Sequence, residues 1–345
     1  MSTTDDVDRL ARDAVLLVGE GRELIVATGA DRVRFLNGVV TGNVGGTPVG
    51  RGCHAALLTP KGHVVSEMWI FLRDDQIWIA VDAGQAGPVA AALARYAIMD
   101  DFAAAPRHDF AFLSLLGPAA PARLTEAGLD VAALAAGPPL GHADIRGLWL
   151  VRVHRLGVGG FWLGGPPAAV SEAQARLEAV GVAQLEPAAA EAARIAAHEP
   201  RFGAEITSDY FPMEVGLDDA IEYGKGCYLG QEPIVRVRDR GRTNWRLAGL
   251  EIVGAADPRP GDALENDAKP KAGRVTSVGR FADGRGVALA MVHVSVPSGA
   301  TVRIKPAASD ASAPDSPGGP KVGGDDPRDE PRSIEARVSD PPSAR

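Results

Sequence analysis

The sequence predicts an α+β protein: ferredoxin-like layers of helix and strand, followed by a small antiparallel β-barrel. Three observations carry this. Ahead of residue 245, β-rich runs alternate with alanine-rich segments of helical character. Three such runs reach Gly-Pro before the helical segment starts, at Gly87-Pro88, Gly117-Pro118 and Gly165-Pro166. From Trp245 onward, short β-rich runs follow one another between Gly, Pro and Asp, with no convincing helix among them. A repeated strand–turn–helix unit builds ferredoxin-like layers. Coincidence in an alanine-rich chain is the other reading, and both stand at this point. Consecutive short strands build a barrel or sandwich.

Taken in order, residues 1–20 form a short acidic lead. "RELIVATG" reads as a strand and "DRVRFLNGVVTGNV" as a short helix entering a loop. "HVVSEMWIFL" and "QIWIAVDA", joined by "RDD", read as a hairpin. "GPVAAALARYAIM" is a helix with Pro88 suited to its first position. "DFAFLSLLG" is a strand, "PAAPARLTEAG" a short helix, and "LWLVRVHRLGVGGFWLGG" a second hairpin. "SEAQARLEAVG" is a helix capped by Ser171 and stopped at Gly181, and "AAAEAARIAAHEP" a helix ended before Pro200. These elements make a body of residues 21–243. Residues 244–306 make the barrel, from "WRLAGLEIV", "AGRVTSVGRF", "GVALAMVHV" and "ATVRIKP". Residues 307–345 are rich in Pro, Ser, Gly and Asp and read as a disordered tail.

The bulk composition narrows the function classes. The chain has 345 residues, 46% of them hydrophobic, enough for a sizeable core. A net charge of −8 argues against general affinity for DNA or an anionic membrane. No apolar run approaches the ~18 residues of a membrane span, and "MSTTDDVDRLARDAVLL" does not read as a secretion signal. The two cysteines, Cys53 and Cys227, form no CxxC pair, so a zinc site or disulfide framework is not expected. A reducing cytoplasm, and a monomer, are the default expectations. P-loop, dinucleotide and zinc-protease motifs are absent from the sequence.

The densest chemistry lies in "EYGKGCYLGQEPIVRVRDRGRTNWR", residues 222–246. Gly224, Gly226 and Gly230 permit tight turns and close approach of another molecule. "GQEPIVRVRDRG" reads as a short helix, with Glu232 and Pro233 in its first turn and Gly241 after its last. Cys227 then lies just upstream of a helix N-terminus and beside Lys225, two features that favour a thiolate. A lone cysteine is more often a small buried hydrophobe, and local sequence alone weighs that way. Arg236, Arg238, Arg240, Arg242 and Arg246 form the one dense basic run. Arg236 and Arg240 share a helix face able to hold carboxylates or phosphates; a solvated face of ion pairs is the plainer reading.

"KGCYLGQE", residues 225–232, with Arg240-Gly241 downstream, resembles the signature of the YgfZ family. These are folate-binding proteins related to the T-protein, the aminomethyltransferase of the glycine cleavage system. "FLNGVVTGNV", "AALLTPKGHVVSEMWIF", "FPMEVGL" (with Pro212, Glu214, Gly216 and Leu217) and "GRVTSVGRF…GVALAMV" extend the similarity over most of residues 25–305. The resemblance implies a T-protein-like folate-binding fold in residues 21–243, with a central pocket for tetrahydrofolate. It also implies a role in assembly or repair of iron–sulfur enzymes, with an effect on tRNA thiomethylation and with iron–sulfur enzymes or assembly factors as partners. On this reading Cys227 is the reactive group and Lys225 favours its thiolate. Tyr228, Gln231 and Glu232 shape the pocket wall, Arg236 and Arg240 hold the folate's glutamate tail or an anionic partner, and Glu214, Asn37 and Thr41 are further pocket candidates.

Some positions depart from the family pattern. In "RIAAHEP", Ala196 stands where relatives have glutamate and His198 where they have glycine. Trp162 stands where the T-protein has the acid that contacts the pterin; it could stack on an aromatic ring or be a core tryptophan, the reading favoured here. Ser66-Glu67 stand where the T-protein has an aspartate pair, and the lack of that pair weighs against the aminomethyltransferase reading. The Cys53-His54 pair is read as structural, His63 as a polar hairpin residue, and Asp82 as a turn cap. Two other functions are carried alongside: a folate-dependent aminomethyltransferase of the T-protein type, and a non-enzymatic adaptor whose folate pocket is vestigial.

Overall fold

The structure is a computed structural model and describes residues 3–19, 21–241, 243–306 and 334–341. Helix α1 (Thr3–Arg12) leads into strands β1 (Val15–Val18) and β2 (Arg22–Thr28), then helix α2 (Arg32–Val39). Strands β3 (Gly52–Leu58), β4 (Val64–Leu72) and β5 (Ile77–Asp82) follow, then α3 (Ala86–Ala94), β6 (Ala103–Arg107) and β7 (Ala111–Leu116). Helices α4 (Ala120–Glu126) and α5 (Ala132–Ala136) precede β8 (His142–Ile145), β9 (Leu148–Arg155) and β10 (Val158–Gly165). Next come α6 (Pro167–Ala179), the short β11 (Ala183–Gln184), α7 (Pro187–Ala196) and α8 (Gln231–Arg240). The barrel strands are β12 (Trp245–Ile252), β13 (Ala263–Asn266), β14 (Lys269–Arg280), β15 (Gly286–His293), β16 (Thr301–Lys305) and β17 (Ile334–Ser339).

Two sheets face each other. One is five-stranded in the order β3-β4-β5-β2-β6, the other six-stranded in the order β11-β1-β7-β10-β9-β8. Strand alternation sends one set of side chains outward under helices and the other inward. Ile25, Leu57, Ile70 and Ile79 pack outward beneath Leu36 of α2 and Val89 and Leu93 of α3. Leu115, Leu150 and Leu163 pack outward beneath Leu124 of α4 and Val170 and Leu177 of α6. Between the sheets lies an aromatic layer that includes Phe71, Trp78, Trp149 and Trp162. The α+β architecture with a closed antiparallel C-terminal barrel is therefore as the sequence predicts. Among the described residues no helix is long and apolar enough to cross a membrane.

Several expectations are corrected. The acidic lead contains a strand: β1 pairs antiparallel with β7 and parallel with β11, inside the second sheet. The segment read as a tail contains β17, which pairs with β12 and β16 and closes the barrel. Residues 307–333 and 342–345 lie outside the described residues. Helix α6 starts at Pro167, not after Ser171, because Pro167 supplies a preset first-turn φ four residues earlier. Pro88 is the third residue of α3.

Candidate functional site

The octapeptide follows a single 3-10 turn at Asp218–Ala220 and runs into the first two residues of helix α8. Gly230 caps that helix in the left-handed region, at φ 78°. A Cβ there would meet the Thr59 carbonyl oxygen at 2.5 Å, so this glycine is required twice over. Gly226, by contrast, faces open space, and neither it nor Gly224 has a positive φ.

Lys225 does not serve Cys227. Its Nζ donates to the carbonyls of Asn37 (2.7 Å), Val40 (2.6 Å) and Gly42 (2.6 Å). That uses all the donors an ammonium has. The carbonyls belong to the end of α2 and the segment after it, where a cation is favoured. Burial pushes Lys225 down to about 8, and the thiol its charge reaches is that of Cys53. The clamp has a purpose in the fold. β3 is an edge strand, and residues 40–42 cover it: Thr41 N donates to Ala56 O at 3.0 Å, and Ala56 N donates to Thr41 Oγ1 at 2.7 Å. An uncovered edge would invite pairing with another chain. Leu229 N donates to Gly38 O, fastening the octapeptide to α2 a second time. Between these two anchors Cys227 stands exposed, which excludes a buried hydrophobe.

The other sequence candidates do not converge on one pocket. Thr41 is fully buried and donates from Oγ1 to Ala220 O at 2.6 Å. Asn37 Oδ1 accepts from Gly45 N. Glu214 is buried, and its carboxylate accepts from the backbone N–H groups of Phe211, Asn244 and Trp245, tying the body to the first barrel strand. Tyr228 is buried among Ile221, Ile234 and Leu247; burial pushes its phenol up to about 12. Trp162 is fully buried in the layer between the sheets, as favoured for a core residue. Gln231, Glu232 and Arg236 lie around an open cavity of about 440 Å³ on the outer side of α8. The side chain of Arg240 lies outside the described residues. Asp82 is no turn cap through its side chain: it pairs with Arg22 and accepts from Phe202 N at 3.0 Å.

What the structure brings together instead starts at His54, which sequence spacing left as structural. In the β3–β4 pairing His54 lies opposite Trp69, with Glu67 two residues along on the same face. The rings of His54 and Trp69 stack at 5.2 Å, 11° apart. His54 Nε2 lies 2.7 Å from Glu67 Oε1, and Nδ1 lies 3.1 Å from Asp219 Oδ2. Burial pulls the imidazolium down, but the two carboxylates override it and hold His54 up at about 9. His54 is thus charged at neutral pH.

Two cavities flank this stack. One, of about 190 Å³, is lined by Asn43, Thr47, Cys53, His54, Asp219 and Glu222. The other, of about 430 Å³, is lined in part by Leu17, Arg22, Asp82, Arg155 and Arg194. Trp69 links them, because the Arg22 guanidinium lies 4.0 Å from its ring centroid. Around it are buried polar atoms with no partner among the described residues: Arg22 Nε, Trp162 Nε1, Trp149 Nε1 and Ser114 Oγ. Such orphans are uncommon in a settled core. Cys227 lines neither cavity. Among the described residues, no group of three or more His, Cys, Asp or Glu is placed to hold a metal ion.

Two helix-backed sheets enclosing an aromatic and ionised layer, with a barrel attached, define a class: the fold of aminomethyltransferase T. The crystal structure of that glycine cleavage protein from Bartonella henselae matches with a TM-score of 0.82 at 19% identity, over 98% of this chain and 88% of that one. Residues 19–225 match the family model of the GCVT N-terminal domain, and the chain belongs to that family. An aminomethyltransferase of Streptomyces avermitilis is 28% identical over 251 residues, 69% of this chain and 67% of that protein. A tRNA-modifying protein YgfZ of Sodalis glossinidius is 28% identical over 245 residues, 70% of this chain and 73% of its own length. A chloroplastic protein of Arabidopsis thaliana, named as a transferase, is 26% identical over 264 residues; the match spans 73% of this chain and 59% of that protein.

Proposed function

We propose that this protein is a tetrahydrofolate-binding factor that supports assembly or repair of iron–sulfur enzymes, including those that thiomethylate tRNA. The observation that carries the reading is the placement of the octapeptide. Lys225 and Leu229 fasten it to the segment sealing the strand that bears His54, while Cys227 faces outward. One loop therefore couples the interior layer to a thiol that a protein partner can reach. The names of relatives, aminomethyltransferase and YgfZ, support the folate half of this reading.

The chemistry of the donor set fits a reduced pterin. Glu67 supplies a buried carboxylate for the donor edge of the ring. Arg22, which lines the cavity of about 430 Å³, has an Nε donor with no partner among the described residues, suited to a ring carbonyl. When bound, tetrahydrofolate supplies one-carbon carrier chemistry; the chain's own residues position it and exclude water. We assign the outer face of α8, with Gln231, Glu232 and Arg236, to the folate's anionic tail or an anionic partner. A monomeric state and a cytoplasmic site of action belong to the same proposal.

A second reading, a folate-dependent aminomethyltransferase, is favoured by one observation: Glu67, at the place of the T-protein's aspartate pair, is buried and bonded to a charged histidine. Titration with tetrahydrofolate, followed by tryptophan fluorescence, is expected to give a saturable change. Cys227→Ser, in cells lacking the native protein, is expected to lower iron–sulfur enzyme maturation while leaving that titration intact. Full maturation by Cys227→Ser would remove the thiol from the mechanism. Substantial release of methylenetetrahydrofolate from an aminomethylated carrier protein would favour the second reading.

A further inference from the structure

His54 is held from both sides by carboxylates that differ in one respect. Side-chain exposure runs from 78% at Asp219 through 14% at His54 to 8% at Glu67. The three are joined by contacts of 3.1 and 2.7 Å, and the outer end opens on the 190 Å³ cleft. We propose that Asp219, His54 and Glu67 form a proton relay through which the buried carboxylate of Glu67 exchanges protons with solvent. The cleft at Asp219 gives this carboxylate, 8% exposed, a path to water through the His54 ring.

The step is a shift within an ion pair. The His54 Nε2–H bond breaks as a Glu67 Oε1–H bond forms; imidazolium and carboxylate become imidazole and carboxylic acid, with total charge unchanged. In the neutral ring the remaining proton then passes from Nδ1 to Nε2 by tautomer interchange, and Nδ1 takes a proton from water at Asp219, which restores the imidazolium. The charged and titratable groups around the ring are Glu67 from β4, Asp219 and Glu222 from the segment before the octapeptide, Lys225 at its first position, Cys53 on the same strand, and Arg22 over Trp69. His54 is a positioning residue here, acting through Glu67. The use of the relay for a pterin rests on the proposed folate site; the relay itself rests on the geometry alone.

The test uses the full chain labelled with ¹⁵N-histidine. At pH 7 the His54 ring is expected to show both nitrogens protonated, and a neutral ring would overturn the proposal. Asp219→Asn, at an exposed position compatible with folding, is expected to slow solvent exchange of the Nε2 proton by about tenfold or more. An unchanged rate would reduce the triad to a structural clamp and overturn the relay. In a second arm, tetrahydrofolate affinity is followed by tryptophan fluorescence from pH 6 to 10. Its pH profile is expected to shift in Asp219→Asn and to flatten in His54→Asn. Identical profiles in wild type and His54→Asn would also overturn the proposal. If the wild type binds no tetrahydrofolate, the folate reading fails, and the exchange rates alone decide the relay.

Discussion

The two facing sheets are built alike, yet one of them carries the ionised cluster that lies between them. The five-stranded sheet presents Arg22, His54, Glu67 and Trp69 around one another. The six-stranded sheet meets it with Ser114, Trp149 and Trp162, and Arg155 reaches this layer only from the end of β9. Position in the sheet explains the difference. β3 is an edge, so His54 reaches a cleft and Asp219. β10 lies between β7 and β9, and Trp162 is fully buried there, with the Arg22 and Arg155 guanidinium groups 5.6 and 5.9 Å from its ring centroid.

That contrast can be broken by substitution. The largest effect is expected from Trp162→Ala, which empties the neutral side of the layer and should cost about 4 kcal/mol in urea unfolding. Its pH dependence should stay that of the wild type. The next is a pH effect confined to the charged side. His54 is raised from 6.5 to about 9, so its stabilising contribution is complete below pH 6.5 and is lost as pH rises through 9. Wild-type stability should fall by something on the order of 3 kcal/mol across that window, and His54→Asn should abolish that slope. Equal slopes in both proteins would erase the distinction between the sheets. Lys225→Met should lower stability by about 2 kcal/mol, through loss of charge-assisted bonds to the segment that covers β3. The smallest effect is on reactivity alone: maleimide should label exposed Cys227 roughly tenfold faster than half-buried Cys53, whose thiol burial pushes up.

Much of this architecture was legible in the sequence because it is local. The hairpins, the Gly230 cap and the start of α8 each rest on residues close together in the chain. The octapeptide was equally visible, but the role of Lys225 was not, because its partners are backbone carbonyls of residues 37–42, which no side-chain pattern reports. His54 was judged by metal-ligand spacing, where it fails. Its true signal was strand parity: across the Pro60-Lys61 turn, the even positions of β3 and the odd positions of β4 share a face, which puts His54, Glu67 and Trp69 together. Asp219 could not be read at all, since only tertiary folding brings it there. Strand β17 did carry a signal, Ile334, Ala336 and Val338 alternating with Glu335, Arg337 and Ser339, but it was masked by the polar composition around it.

The place of β17 has a consequence for how the molecule is made. The stave that zips the barrel shut comes from far beyond its five companions, so a nascent chain holds an unfinished cylinder, with β12 and β16 unpartnered on one side, until residues 334–339 have left the ribosome. Proteolytic trimming anywhere between Lys305 and Ile334 would leave the same gap in the mature protein.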